Sequence, residues 1–276
     1  MNRKHPIGIF DSGYGGLTVL KAIRNQLPQY DYIYLGDNAR TPYGTRSFEV
    51  VYEYTLEAVK KLFAMDCELV ILACNTASAK ALRNIQQNYL PQYAPHRRVL
   101  GVIRPSVEKV IQITKKSHVG VLGTPGTVSS GSYAIEIDKL SANTITVTQE
   151  ACPMWVPIVE NNEIGTPGAD YFVQKNMQSL FAKDPQIDTI ILGCTHYPLL
   201  IQTIKKFIPN EVNVLDQGPV VAEKLANYLL RHPEIENQCA MQGTIKYFTT
   251  ENANSFNQKA SVFLGETVRA KTIHIL

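Results

Sequence analysis

Apolar runs of strand length alternate along the chain with stretches whose apolar residues recur at helical spacing. Residues 7–10, 32–35, 68–72, 99–102, 118–123, 144–148, 190–193, 213–215, 246–249 and 272–275 read as strands. Helices are predicted over 17–27, 47–65, from 76 onward, from Pro105 through 110, over 169–182, up to Leu230 and over 254–264. Strand and helix in this alternation predict an α/β fold on parallel sheet. Between Tyr89 and Arg98 the prolines Pro91 and Pro95 cannot continue a helix, so a lobe boundary is expected there.

Two strand exits share a local pattern. Val70-Ile71-Leu72-Ala73-Cys74-Asn75-Thr76 and Ile190-Ile191-Leu192-Gly193-Cys194-Thr195-His196 each pass from an apolar run through a small residue to a cysteine and two polar residues. The opening strand has an echo too: Gly8 precedes the turn Asp11-Ser12-Gly13, and Gly120 precedes Thr124-Pro125-Gly126-Thr127. A strand closed by Asp37 is likewise matched by one ending in Glu150. Gly8 and Gly120 are 112 residues apart, Asp37 and Glu150 113, and Cys74 and Cys194 120. Near-constant spacing over three landmarks is what a duplicated α/β half leaves. Two similar parallel-sheet lobes related by a pseudo-twofold, with a cleft between them, are therefore expected.

At 276 residues the chain has ample material for two lobes. Hydrophobic residues at 45% and charged residues at 18% describe an ordinary globular protein. The net charge of +3 is spread over both halves, and pairs such as Lys60-Lys61, Arg97-Arg98, Lys115-Lys116 and Lys205-Lys206 are too short for a nucleic-acid stripe. No apolar run approaches the roughly 18 residues of a membrane span, and the first residues lead directly into a strand, so a cytoplasmic protein without nucleic-acid or membrane partners is expected. Cys67, Cys74, Cys152, Cys194 and Cys239 are odd in number and lack CxxC spacing, against a disulfide framework or a zinc finger. Cys152, beside Pro153, reads as a structural thiol and Trp155 as a packing anchor. His5, His232 and His274 lie in turn or terminal positions and are assigned no chemistry.

In parallel α/β sheets ligands collect at the carboxyl ends of strands, so Cys74 and Cys194 are expected to face a crevice. A following helix N-terminus would draw a thiol from its ordinary pKa of about 8.5 toward neutrality. The alternative for either one is an inert, buried small residue. Two opposed thiols suit a reaction that needs a base on one face of a carbon and an acid on the other, of which racemisation at Cα is the simplest. Ser12, Asn75, Thr76, Thr195 and backbone N–H groups could stabilise the carbanion-like state. Asp11 and His196, one per lobe, could hold a thiol's proton. A metal site from Cys194, His196 and Cys74 lacks a second ligand near Cys74. A thiol hydrolase would leave one cysteine unexplained, and a receptor for a small acid would not need both.

Five motifs in order then resemble the glutamate racemases of the aspartate/glutamate racemase family. They are Gly8 to Val19 with Asp11-Ser12-Gly13, the Gly36-Asp37 to Arg40-x-Pro42-Tyr43-Gly44 loop, Ala73-Cys74-Asn75-Thr76-Ala77, Glu150-Ala151-Cys152-Pro153 and Gly193-Cys194-Thr195-His196-Tyr197-Pro198. The resemblance covers roughly residues 7–265 and implies cofactor-independent interconversion of L- and D-glutamate, supplying D-glutamate for peptidoglycan. It implies Cys74 and Cys194 as the acid/base pair, supported by Asp11, Glu150 and His196. Substrate contacts are implied for Ser12, Pro42, Tyr43, Gly44, Asn75, Thr76, Thr124, Thr127 and Thr195. No metal or cofactor is implied. A homodimer is, as is a discontinuous first lobe of residues 1–98 plus 213–276 around a second of 99–212. Aspartate and hydantoin racemases share the paired cysteines and are the nearest alternative. Arg40 could meet the side-chain carboxylate, but reads better as a solvated loop residue.

Overall fold

The computed structural model of the chain describes residues 4–275. Its ten strands are β1 (Ile7–Asp11), β2 (Tyr32–Gly36), β3 (Leu69–Leu72), β4 (Arg98–Gly101), β5 (His118–Gly123), β6 (Thr146–Ala151), β7 (Thr189–Gly193), β8 (Asn213–Leu215), β9 (Ile245–Thr249) and β10 (Ala270–Thr272). β1, β2, β3 and β7 are buried at every position. That is the state of parallel strands covered on both faces, and it explains why these runs are continuously apolar and do not alternate.

The strands form a six-stranded sheet in the order β10-β9-β2-β1-β3-β4 and a four-stranded sheet in the order β6-β5-β7-β8, with every pairing parallel. The inner order β2-β1-β3-β4 recurs as β6-β5-β7-β8, so the same winding is used twice. Register makes the repeat residue-specific. Gly8 pairs with Val70 as Gly120 pairs with Ile190, which puts Cys74 and Cys194 at equivalent strand exits. Gly8 also pairs with Ile33 as Gly120 pairs with Thr148, which makes Cys152, and not Glu150, the counterpart of Asp37. The expected pairing of the two acids slips by two residues because β6 continues through Ala151, leaving Glu150 inside the strand.

Both expected lobe boundaries also shift. The break after residue 98 cuts β4, which completes the first sheet, and β8, expected in the first lobe, pairs with β7 in the second. Strand pairing, and not loop composition, sets where the chain crosses. The prolines misled for a local reason: the chain stays helical through the π-turn Ile85–Tyr89 into Leu90–Tyr93, with Pro91 in the first turn, where no backbone N–H is needed.

The helices Gly16–Gln26 and Gln217–Arg231 cover one face of the first sheet with Leu17, Leu20, Ile23, Val221 and Leu225, while Val51, Val59 and Leu62 of the helix Phe48–Ala64 cover the other. In the second lobe Val107 and Ile137 pack on one side and Trp155, Val173 and Leu180 on the other. Trp155 is fully buried against Tyr197, and Cys152 is a buried core thiol.

Candidate active site

β3 delivers Cys74 to the N-terminus of the helix Asn75–Lys80, where extended backbone lets its Sγ accept the Ala77 N–H at 3.4 Å. Ser12 Oγ, from the turn after β1, lies 3.3 Å from the same sulfur. The helix end was expected to draw this thiol toward neutrality. Burial instead pushes it up to about 12, with the charge of Asp11 adding to the rise and the Ser12 and Ala77 hydrogen bonds only partly opposing it. At neutral pH Cys74 is therefore a thiol. Asp11 closes β1, and its Oδ2 accepts the Gly13 N–H at 2.9 Å. Its Oδ1 is buried without a hydrogen-bond partner, an acceptor left open at a cost that a functional site can carry. Burial raises the Asp11 carboxyl, opposed by the charge of His196 from the other lobe.

The second exit is built differently. Cys194 Sγ stands 3.8 Å from His196 Nδ1, and His196 Nε2 stands 3.0 Å from Glu160 Oε1. Burial works against protonation of His196, but Cys194 and Glu160 outweigh it and raise the imidazole to about 10. Both ring N–H groups then donate, one to the sulfur and one to the carboxylate. Burial pushes the Glu160 carboxyl up, yet His196 and Lys259 overcome this and hold it below the ordinary value. Phe263, from the helix Ala253–Leu264, meets the imidazole edge-on with ring centroids 5.9 Å apart. Cys74 and Cys194 are both buried, at 5% and 6% exposure. The charge of Cys194 adds to the rise at Cys74, which places the two thiols within electrostatic reach of each other.

The lobes touch through backbone. An added Cβ at Gly15 would lie 2.2 Å from Thr195 Oγ1 and 2.5 Å from His196 Nδ1, and Thr18 Oγ1 donates to the Thr195 carbonyl at 3.1 Å. Gly126 N donates to the Gly44 carbonyl at 2.7 Å. Beside that bridge Thr76, Thr124 and Thr127 form a triangle of hydroxyls with edges of 3.0, 3.2 and 3.1 Å. Asn75 is locked by its amide: Nδ2 donates to Gln217 Oε1 at 2.7 Å and Oδ1 accepts from Tyr133 OH at 2.6 Å. Gln217 Nε2 returns to Tyr133 OH and Ser106 Oγ.

The expected residues gather at the ends of β1, β3, β5 and β7, with two qualifications. Tyr43 is buried and gives its hydroxyl to Asp37 Oδ2 at 2.5 Å, so the Pro42-Tyr43-Gly44 loop is left to act through its backbone. Glu150 does not join either thiol. Its carboxylate takes Asn176, Ser179 and Lys183 of the helix Pro167–Lys183 at 2.9, 2.9 and 2.6 Å. Burial raises it, but Lys183 and these donors hold it below the ordinary value. The carboxylate that meets His196 is instead Glu160, at the end of the helix Trp155–Glu160. The signal in the sequence was slight: a carboxylate closing an otherwise apolar turn. Arg40 is spent on Asp37 and Glu57 and on the ring of Tyr54.

Paired parallel sheets that each deliver a cysteine from the carboxyl end of a central strand define a two-lobed α/β protein. The chain belongs to the Asp/Glu/Hydantoin racemase family, whose model matches residues 8–225. It is 40% identical over 276 residues to the glutamate racemase of Enterococcus faecalis, covering 100% of this chain and 98% of that one, and 41% identical over 260 residues to that of Geobacter metallireducens, covering 94% and 92%. Among solved structures it resembles glutamate racemase isoform RacE1 from Bacillus anthracis, at 36% identity and TM-score 0.89 with 98% of each chain covered. It also resembles the Francisella tularensis glutamate racemase in complex with D-glutamate, at 30% identity and TM-score 0.86, with 99% and 98% covered.

Proposed function

We propose that the protein interconverts L- and D-glutamate by moving a proton at Cα between two thiols, without a cofactor. The observation that carries this is the pair Cys74 and Cys194 at equivalent strand exits, each with a different titratable neighbour, Asp11 for one and His196 for the other. One sulfur, as thiolate, takes the Cα proton and leaves its electron pair on carbon, delocalised into the carboxylate. The thiol on the opposite face returns a proton to that carbon, so configuration inverts and nothing is oxidised or reduced. Asp11, whose charge reaches Cys74, is assigned to take its proton, and the His196 imidazolium can exchange one with Cys194. Ser12, Thr195, Asn75 and neighbouring N–H groups offer donors to the substrate carboxylates, as do Thr76, Thr124, Thr127 and the Pro42-Tyr43-Gly44 backbone. Such preorganised donors carry the larger part of the barrier lowering, beyond the roughly 10² to 10⁴ of general acid–base help.

The choice of glutamate is supported by relatives named glutamate racemase that align over nearly the whole chain, one of them crystallised with D-glutamate. We further infer a two-lobe division crossing after β4 and after β8, a homodimer, and a cytoplasmic role in supplying D-glutamate for peptidoglycan. Among the described residues no helix is long and apolar enough to cross a membrane. The test is optical. Purified enzyme without added pyridoxal phosphate or metal should drive the circular dichroism of L-glutamate and of D-glutamate to zero from either side, and should leave aspartate and hydantoins largely unchanged. No decay with glutamate, or faster decay with aspartate, contradicts the assignment.

A further inference from the structure

Lys80 is the last residue of the helix that Cys74 caps, and it is only 7% exposed. A lysine that buried is unusual unless it is paired. Its partner is not a carboxylate but a backbone carbonyl: Nζ donates to Arg46 O at 2.8 Å. Burial holds the ammonium below the ordinary lysine value, opposed by the more distant charge of Glu49. Arg46 lies in the turn that carries Tyr43 and Gly44, closed by its own N–H to the Tyr43 carbonyl at 3.1 Å. The near end of that turn crosses to the second lobe through Gly44 O and Gly126 N at 2.7 Å. A Cβ on Gly126 would meet Gly44 O at 2.8 Å and Lys80 Nζ at 3.1 Å, so ammonium, carbonyl and glycine crowd one spot beside the hydroxyl triangle.

We propose that Lys80 is a positioning residue for the known family reaction: it ties residues 42–46 to the Cys74-capped helix, so that Gly44 is held against Gly126 and the amino acid is gripped when the lobes meet. This rests on the racemase function proposed above. The tie acts on binding more than on proton transfer, because Lys80 reaches the loop and neither sulfur. Removing it also leaves the Arg46 carbonyl without its charged donor.

The experiment compares wild type with K80M and K80R, measuring steady-state racemisation of glutamate in both directions and hydrogen exchange of the peptide spanning 41–48. K80M should raise KM by about tenfold or more, the loss of one charge-assisted hydrogen bond, while kcat changes by less than about threefold. Exchange across 41–48 should quicken while the β3 and β7 peptides keep their protection, and K80R should return KM to within about threefold of wild type. Should K80M fail to fold, K80Q, which truncates the reach of the donor, is measured in the same way. Unchanged KM and unchanged exchange, or exchange that quickens throughout the protein, overturns the proposal. Exchange reads the tie without turnover: a wild type that racemises nothing refutes the proposed function, while the tie is still judged by the 41–48 peptide.

Discussion

Cys74 is raised to about 12 by burial, so its use as a base depends on a group that can receive its proton, and Asp11 is the carboxylate whose charge reaches it. Cys194 is served by His196 and Glu160 instead. Unequal support predicts unequal damage: Asp11→Asn and His196→Asn should each lower kcat by about 10² to 10⁴, with the two directions of racemisation affected to different degrees. Progress curves started from each enantiomer, read by circular dichroism, measure this. Gly15→Ala is the sharpest geometric probe. Gly15 has ordinary helical backbone at φ −57°, so a methyl there strains nothing locally and acts only by pushing Thr195 and His196 away. A displacement of about 1 Å costs on the order of 10²-fold, so kcat should fall by about that much with little change in thermal midpoint. The cysteines were legible because a strand exit leaves a local signature in consecutive residues. Glu160 was not, because its place is made by a helix folding back onto residue 196. Glu150 drew attention in its stead because an acid near a strand end looks the same whether it faces the crevice or a neighbouring helix.

At the scale of elements, the helix Asn75–Lys80 is too short to hold its own geometry and is fixed by what grips it. The Asn75, Gln217 and Tyr133 side chains close a buried hydrogen-bonded ring joining that helix to Gln217–Arg231 and Ser132–Ser141. Tyr133→Phe keeps the packing and deletes the hydroxyl, leaving Asn75 Oδ1 without its donor. A loss of about 1–3 kcal/mol is expected in urea unfolding, with KM raised through Asn75. Most strands and long helices could be read from sequence, because fully buried strands are written as uninterrupted apolar runs. What failed was long-range or exceptional. The membership of β4 and β8 is decided by pairing partners far away in the chain, and Pro91 sits in one of the few helical positions that tolerate proline.

For the molecule as a whole, protonation of His196 couples site and stability. Its imidazole is raised from an ordinary value near 6.5 to about 10, so the folded state binds this proton more tightly than the unfolded chain does. The stabilisation is complete below about pH 6.5 and is lost as pH rises through about 10. Glu160, held below the ordinary carboxyl value, works in the opposite sense, and its contribution is lost as pH falls through the acid range. Thermal midpoints should therefore decline from pH 7 to 10 more steeply in wild type than in His196→Asn, and parallel slopes would remove His196 from this role. The central claim concerns two sulfurs acting on opposite faces of one carbon, and early-time turnover in deuterium oxide tests it most directly. Starting from protiated L-glutamate or D-glutamate, the product enantiomer should carry solvent deuterium at Cα while the remaining substrate stays protiated. Equal labelling of both enantiomers at low conversion would mean a single base serving both faces, and would contradict the two-thiol account.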